Sequence, residues 1–308
     1  MDDTKVPHPK LILTVDMPPD TIVPEGTDRL DMFPMKAHDP ELDGIIMPGV
    51  FNEIWQLFNE KFPLDPHTFR TIPRWCWDIE AGFIGTMRWG DPESRTYKQW
   101  VKDACQFVDL ARGAGCKSIG MYNIPPGKTP QPGNNMVRVP DELMKRLDCC
   151  MPVTYFYEYH EPEGYIRYVE HTVAYAKEYG IPVFPFVGPR YASGTPWTPK
   201  RTKLLPPSLW AELLQGFAEV GADGVALWDS TYLLYKHCVK NGKWYLFYDR
   251  WEDEMEPGET PYQYTLRVCQ YMADMCGAAF NKQSDPRWVK KPNQGPQHGT
   301  GHAKGGGG

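Results

Sequence analysis

A helix, a glycine stop, a turn of a few residues and a short apolar strand follow one another three times in this 308-residue chain. Together with the absence of a glycine-rich phosphate loop after the first apolar segment, this cadence predicts an α/β fold, a (β/α) TIM-like barrel of seven or eight parallel strands. In the first copy Tyr97, Trp100, Val101, Ala104, Val108 and Ala111 fall at helical intervals. Gly113 and Gly115 end that helix, and residues 117–124 read as the strand. The second copy has Tyr165, Val169, Val173 and Ala176 on one helix face, Gly180 as the stop and 181–187 as the strand. The third runs from Ser208 to Gly221 and enters a strand over 224–228. Residues 11–15, 44–47, 75–79 and 153–157 supply the remaining strand candidates. Asn241-Gly242, between apolar flanks, reads as the turn of a small β-hairpin inserted over 239–248. Thr260 as N-cap, Pro261 at the first helical position and Gly277 beyond the end delimit a closing helix.

Composition excludes several classes of function. The net charge is −6, and the cations are scattered rather than gathered into a stripe, which argues against a nucleic-acid partner. No apolar run approaches the roughly 18 to 20 residues of a membrane span, and residues 1–10 lack the basic start and apolar centre of a signal peptide. A soluble chain is expected. The eight cysteines show neither paired metal spacing nor the density of a disulfide scaffold, so buried thiols are expected. The His-x-x-x-His spacing occurs only as His298 and His302 in the Gly-rich tail and no His-Glu-x-x-His pattern occurs, so neither a catalytic metal nor another cofactor is expected. A Gly-x-Ser-x-Gly elbow is missing as well. The 31 prolines, about twice the usual share of roughly 5%, alternate with 11 Trp and 17 Tyr, which suggests long ordered loops.

The candidate chemistry lies in Arg-Trp-Cys-Trp-Asp78-Ile-Glu80. Residues two apart on a strand share a face, so Asp78 and Glu80 would both look toward the barrel axis at the carboxyl end of the sheet. Two carboxylates held close together cannot both ionise easily, which raises one pKa into the range a general acid needs. Taken alone, Asp-x-Glu fits a solvated or ion-paired pair equally well, and Tyr122, Tyr155 and Trp228 fit packing roles.

The order of blocks along the chain resembles the hyaluronidase-type glycoside hydrolases. Asp78-x-Glu80 is followed by Gly120-Met-Tyr122-Asn-Ile-Pro125, then Pro152-Val-Thr-Tyr155, Ile181-Pro182-Val183 and Asp223-Gly224-Val-Ala-Leu-Trp228. The resemblance implies that Glu80 protonates the leaving oxygen and later activates water. Asp78 would orient a substrate 2-acetamido group whose carbonyl oxygen replaces an enzyme nucleophile, with Tyr155 hydrogen-bonded to that group. Tyr122, Tyr157, Glu158, Trp228 and Asp229 would contact substrate.

Asp229 stands where the family usually has Gly, and strand alternation turns it away from Trp228. Arg88, Arg190, Lys200 and Arg201 are the cations available to a polyanion groove. The expected organisation is a single catalytic barrel domain over 1–280 and a flexible Gly/Pro-rich tail over 281–308. The expected partner is a polysaccharide or glycan containing 2-acetamido sugars, with an extracellular or virion-associated location if the resemblance holds. Two alternatives stay open: a two-carboxylate glycosidase using Glu80 with Asp229 or Glu158, and a non-catalytic glycan-binding or virion structural protein.

Overall fold

The computed structural model describes residues 11–13, 17–23, 27–34, 74–78, 87, 90–113, 115–126, 138–156, 162–191 and 203–281. The strand candidate at 44–47 and the tail from residue 282 lie outside them. Among the described residues six strands form one sheet: β1 (Leu11–Leu13), β2 (Thr27–Pro34), β3 (Arg74–Asp78), β4 (Ile119–Met121), β5 (Phe186–Val187) and β6 (Val225–Leu227). Their spatial order is β4-β3-β2-β1-β6-β5, and every ladder is parallel.

The two ends of that order are linked by residues 150–153. This segment bridges β4 through Tyr122 and Met151, and the β5 side through Cys150 with Val183 and Val153 with Phe186, all in parallel sense. The pairings therefore run from β4 round to β5 and return to β4. Proline explains why 150–153 and 181–187 register as bridges and a two-residue strand rather than full ladders. Pro152, Pro182 and Pro185 have no N–H to donate, but their carbonyls accept from Phe186 (2.8 Å), Cys150 (2.8 Å) and Ala226 (2.9 Å).

The helices are α1 (Arg95–Gly113), α2 (Asp141–Met144), α3 (Pro162–Lys177), α4 (Pro207–Glu219), α5 (Thr231–Asn241), α6 (Tyr245–Trp251) and α7 (Pro261–Asn281), with a 3₁₀ turn at Glu252–Glu254. The three predicted helix-to-strand copies are α1 to β4, α3 to β5 and α4 to β6. Strand alternation divides the interior into two apolar cores. Ile119, Met121, Cys150, Val183, Val225 and Leu227 belong to the large core with the helices. Cys76, Cys149, Met151, Phe184, Phe186 and Ala226, the intervening positions, form a separate small core on the other face. Gly120 belongs to this second face, where an added Cβ would lie 2.5 Å from the Met151 sulfur and 2.9 Å from the Cys149 sulfur. All eight cysteines are buried.

Two matching clasps fix the amino ends of the strands. Asp148 accepts the Ile119 N–H at 2.8 Å and donates its own N–H to the Ile119 carbonyl at 2.9 Å. Asp223 does the same to Val183, at 2.9 Å and 3.0 Å. Each aspartate ends a helix-to-strand turn and pairs with the start of the neighbouring strand.

Two expectations need correction, and one strand goes unread by the sequence pattern. Residues 239–248 do not form a β-hairpin. Gly242, at φ 67°, is the left-handed C-cap of α5, and its N–H bonds to the Cys238 carbonyl at 2.8 Å. Trp244, Phe247 and Trp251 then recur at helical spacing and bury one side of α6. Gly277 lies inside α7, which continues to Asn281: Gly277 is itself buried, and Ala279 beyond it packs against the large core. The start of α7 is as read: the Thr260 N–H donates to Gln263 Oε1 at 2.9 Å and the Gln263 N–H to Thr260 Oγ1 at 3.3 Å, a capping box. The unread strand is β2, where Asp28, Arg29 and Asp31 interrupt the apolar alternation.

Gly242→Ala should lower stability by about 1 kcal/mol, since the left-handed conformation penalises any Cβ. Gly113→Ala, at the end of α1 where a Cβ meets nothing within 4 Å, should be neutral or stabilising. Urea unfolding of the two variants side by side checks this; equal midpoints would defeat the cap assignment.

Candidate active site at the carboxyl ends of the strands

The sheet register brings four of the sequence-singled positions to one end of the fold. Asp78 closes β3, one residue beyond the Trp77–Met121 pair, which sets it beside Tyr122 at the end of β4. Tyr122 bridges to Met151. Tyr155 lies two residues past the Val153–Phe186 bridge, level with Gly188, and Gly188 follows the Val187–Leu227 pair, level with Trp228. Glu80, Tyr157 and Glu158 lie outside the described residues, as do Arg88, Lys200 and Arg201.

Tyr155 is presented by alternation. Thr154 and Phe156 on either side are buried, Thr154 donating its hydroxyl to the Phe186 carbonyl at 3.0 Å. From α3, the Tyr165 hydroxyl donates to the Thr154 carbonyl, and Tyr168 to the Val153 carbonyl at 3.0 Å. Phe156 packs edge-on against Tyr165 with ring centroids 4.9 Å apart. The backbone that carries Tyr155 is thus held from the helix side, while its half-buried ring lies on the other.

Tyr155 and Trp228 form an aromatic pair, centroids 6.2 Å apart and planes inclined by 44°. Gly188 makes room for them: a Cβ there would approach the Trp228 carbonyl to 3.3 Å and the Tyr155 ring to 3.8 Å. Tyr122 stands edge-on to Phe186 at 4.9 Å, on the second, smaller core. Trp228 is 38% exposed, a large apolar surface open to water at the end of a strand. An exposed indole beside phenol rings is a surface on which the C–H face of a sugar can stack.

Asp229, expected among the substrate contacts, is turned into the protein. It is 4% exposed, and both its oxygens are engaged: Oδ2 with Arg190 Nε at 3.0 Å and Oδ1 with the Thr231 N–H at 2.7 Å. Arg190, a candidate cation for an anionic polymer, is 8% exposed and equally committed. It donates to Glu254 at 3.0 Å, Thr231 Oγ1 at 3.1 Å and the Tyr264 hydroxyl at 2.9 Å, and it lies over the Trp251 ring at 5.0 Å. Tyr264 donates to Glu254 at 2.6 Å. The acids around Arg190 hold it protonated against the cost of burial, and burial raises the Tyr264 phenol pKa. Local motifs give no sign of this cluster, because its members lie between positions 190 and 264 and meet only through the fold.

The turn carrying Glu254 has a further anchor. Arg267 makes a two-pronged contact with Glu259, 2.7 Å and 2.8 Å, and donates to the Glu254 carbonyl at 3.0 Å. Hydrogen bonds from Arg267 hold the Glu259 carboxyl below its ordinary pKa. Among the described residues no cluster of His, Cys, Asp and Glu could hold a metal ion.

Solved structures similar to this chain include bee venom hyaluronidase, 14% identical with a TM-score of 0.44 over 62% of this chain and 75% of that one. The same enzyme in complex with a hyaluronic acid tetramer matches at 14% identity and a TM-score of 0.43, over 61% and 71%. The spore cortex-lytic enzyme SleL of Bacillus megaterium matches at 12% identity and 0.39, over 66% and 56%. No protein-family model matches the chain, and no curated protein does.

Because the folded carboxyl of Glu259 has a depressed pKa, its stabilisation is present above the unfolded value of about 4.3 and is lost as pH falls through the folded value. Glu259→Gln should therefore cost about 1 kcal/mol at pH 7, a charge-assisted pair discounted for the partial exposure of Arg267. The gap to wild type should close below about pH 4. Thermal melts from pH 3 to 7 measure it; a gap independent of pH would contradict the assignment.

Proposed function

We propose that the chain is a glycoside hydrolase on a closed β/α barrel, acting on the interior of polysaccharides that contain 2-acetamido sugars. The observation that carries this reading is the gathering of Asp78, Tyr122, Tyr155 and Trp228 at the carboxyl end of one parallel sheet, with Trp228 exposed while its neighbour Asp229 is buried. The barrel is supported by the return of the strand pairings through 150–153 and by the separation of an inner core from the helix-covered one.

In the proposed mechanism Glu80 donates a proton to the glycosidic oxygen as the bond to the anomeric carbon breaks. The carbonyl oxygen of the sugar's own acetamido group attacks that carbon and forms a cyclic oxazolinium. Asp78 accepts the acetamido N–H and stabilises the positive charge, and Tyr155 donates to the acetamido oxygen. The Glu80 carboxylate then takes a proton from the water that reopens the ring, so configuration is retained. Trp228 and Tyr122 shape the subsite, with Tyr157 and Glu158 as further substrate contacts. A conventional nucleophile at Asp229 is disfavoured, because its oxygens already serve Arg190 and Thr231.

Glu80→Gln should lower turnover at least about a hundredfold while leaving binding intact, as for any lost general acid. Asp78→Asn should also cost orders of magnitude, and polymers lacking the N-acetyl group should resist cleavage. Reducing-end release from a glycan panel measures all three. Full activity of Glu80→Gln removes that residue from the mechanism, and rapid cleavage of glycans without acetamido groups removes the substrate-assisted step.

A further inference from the structure

Trp228 and Gly188 end neighbouring strands, and the chain leaves them by separate routes: into α5 after Trp228, and toward residues 189–191 after Gly188. Beyond the sheet, no ladder hydrogen bond ties these two exits among the described residues. Two side-chain contacts from Arg190 do: Nε donates to Asp229 Oδ2 at 3.0 Å, and a terminal nitrogen donates to Thr231 Oγ1 at 3.1 Å. Arg190 comes two residues after Gly188, and Asp229 directly after Trp228. Asp229 Oδ1 meanwhile fixes the Thr231 N–H at the start of α5. The other nitrogens of Arg190 reach Glu254 and Tyr264, so the joined exits are anchored to the 3₁₀ turn and to α7. Glu254 is itself pinned, its Oε1 accepting the Leu204 N–H at 3.1 Å and its carbonyl accepting from Arg267.

We propose that Arg190 is a positioning residue for the aromatic platform: by clamping Asp229 to Glu254 it sets the angle and spacing of Trp228 against Tyr155. A buried guanidinium costs more to desolvate than an apolar side chain of similar volume, and its return is geometric. Its planar fork meets several acceptors at once and allows one arrangement of the two strand exits. Lysine, with a single nitrogen, could keep the charge but not the fork. The role assigned to the platform rests on the saccharide reading above; the clamp itself rests on the contacts alone.

The test uses the full chain labelled with 5-fluorotryptophan, in which the Trp228 ¹⁹F resonance is assigned by its loss in Trp228→Phe. Asp229→Asn and Arg190→Lys should each shift or broaden that resonance while leaving that of Trp210, buried in α4, in place. With a tetramer of N-acetylglucosamine as the probe, both variants should raise KM by about tenfold and change kcat by no more than about threefold, the signature of lost substrate positioning. Should either variant fail to fold by near-ultraviolet circular dichroism, Tyr264→Phe removes one partner of the same guanidinium and should move the Trp228 resonance in the same direction by less. An unmoved Trp228 resonance in the folded variants overturns the proposal, and so does a KM equal to wild type in a wild type that cleaves the tetramer. If the wild type neither binds nor cleaves it, the saccharide reading falls, and the resonance alone still decides the clamp.

Discussion

A positive charge removed from water governs the arrangement around it. Arg190 is 8% exposed and must find acceptors for its nitrogens inside the protein, and two carboxylates, a hydroxyl and a phenol converge on it. Removing one partner of such a buried pair typically costs about 3–5 kcal/mol, because the other charge remains stranded. The constraint spreads outward. Asp229 must turn inward from the strand end, α5 must begin where Thr231 can meet it, and the 3₁₀ turn must bring Glu254 back under the sheet exits. The exposed face of Trp228 is what this arrangement leaves on the other side.

The same division between faces runs through the whole sheet. Residues of one parity pack with the helices, and residues of the other form a small core of their own, narrow enough that Gly120 is required against Met151 and Cys149. The aspartate clasps at Ile119 and Val183 lie at the amino ends of the strands, and the aromatic platform lies at the carboxyl ends. Register is thus secured at one end while the other carries the exposed aromatic surface.

Much of this was legible in the sequence wherever the period of apolar residues decided the matter. The helix faces of α1, α3 and α4 and the strands that follow them read directly, as did the N-cap at Thr260. Misreadings arose where a local signal has two meanings. Asn241-Gly242 serves a hairpin or a helix cap equally well, and only the helical spacing of Trp244, Phe247 and Trp251 separates the two. The charged β2 carries no clean alternation, and Gly277 is tolerated inside a helix whose burial outweighs its propensity. At the candidate site, strand parity turns Asp229 away from Trp228, although the family resemblance counts both among the substrate contacts. The partners of Asp229 were hidden, because Arg190, Glu254 and Tyr264 come together only in three dimensions.

The pairing of β1 with β6, and the packing of α7 on β1, have a consequence for how the chain is made. Of the described strands, β1 comes earliest in the chain, and it waits for β6, the latest, before its second edge is covered. Until then β1 offers an open row of backbone donors and acceptors to any neighbouring polypeptide. Long-range closure of this kind is slow relative to synthesis of a single helix pair. Loss of the segment from β6 onward would leave the nascent fold with a permanent sticky margin, so premature termination should send this protein toward aggregates rather than toward a smaller working domain.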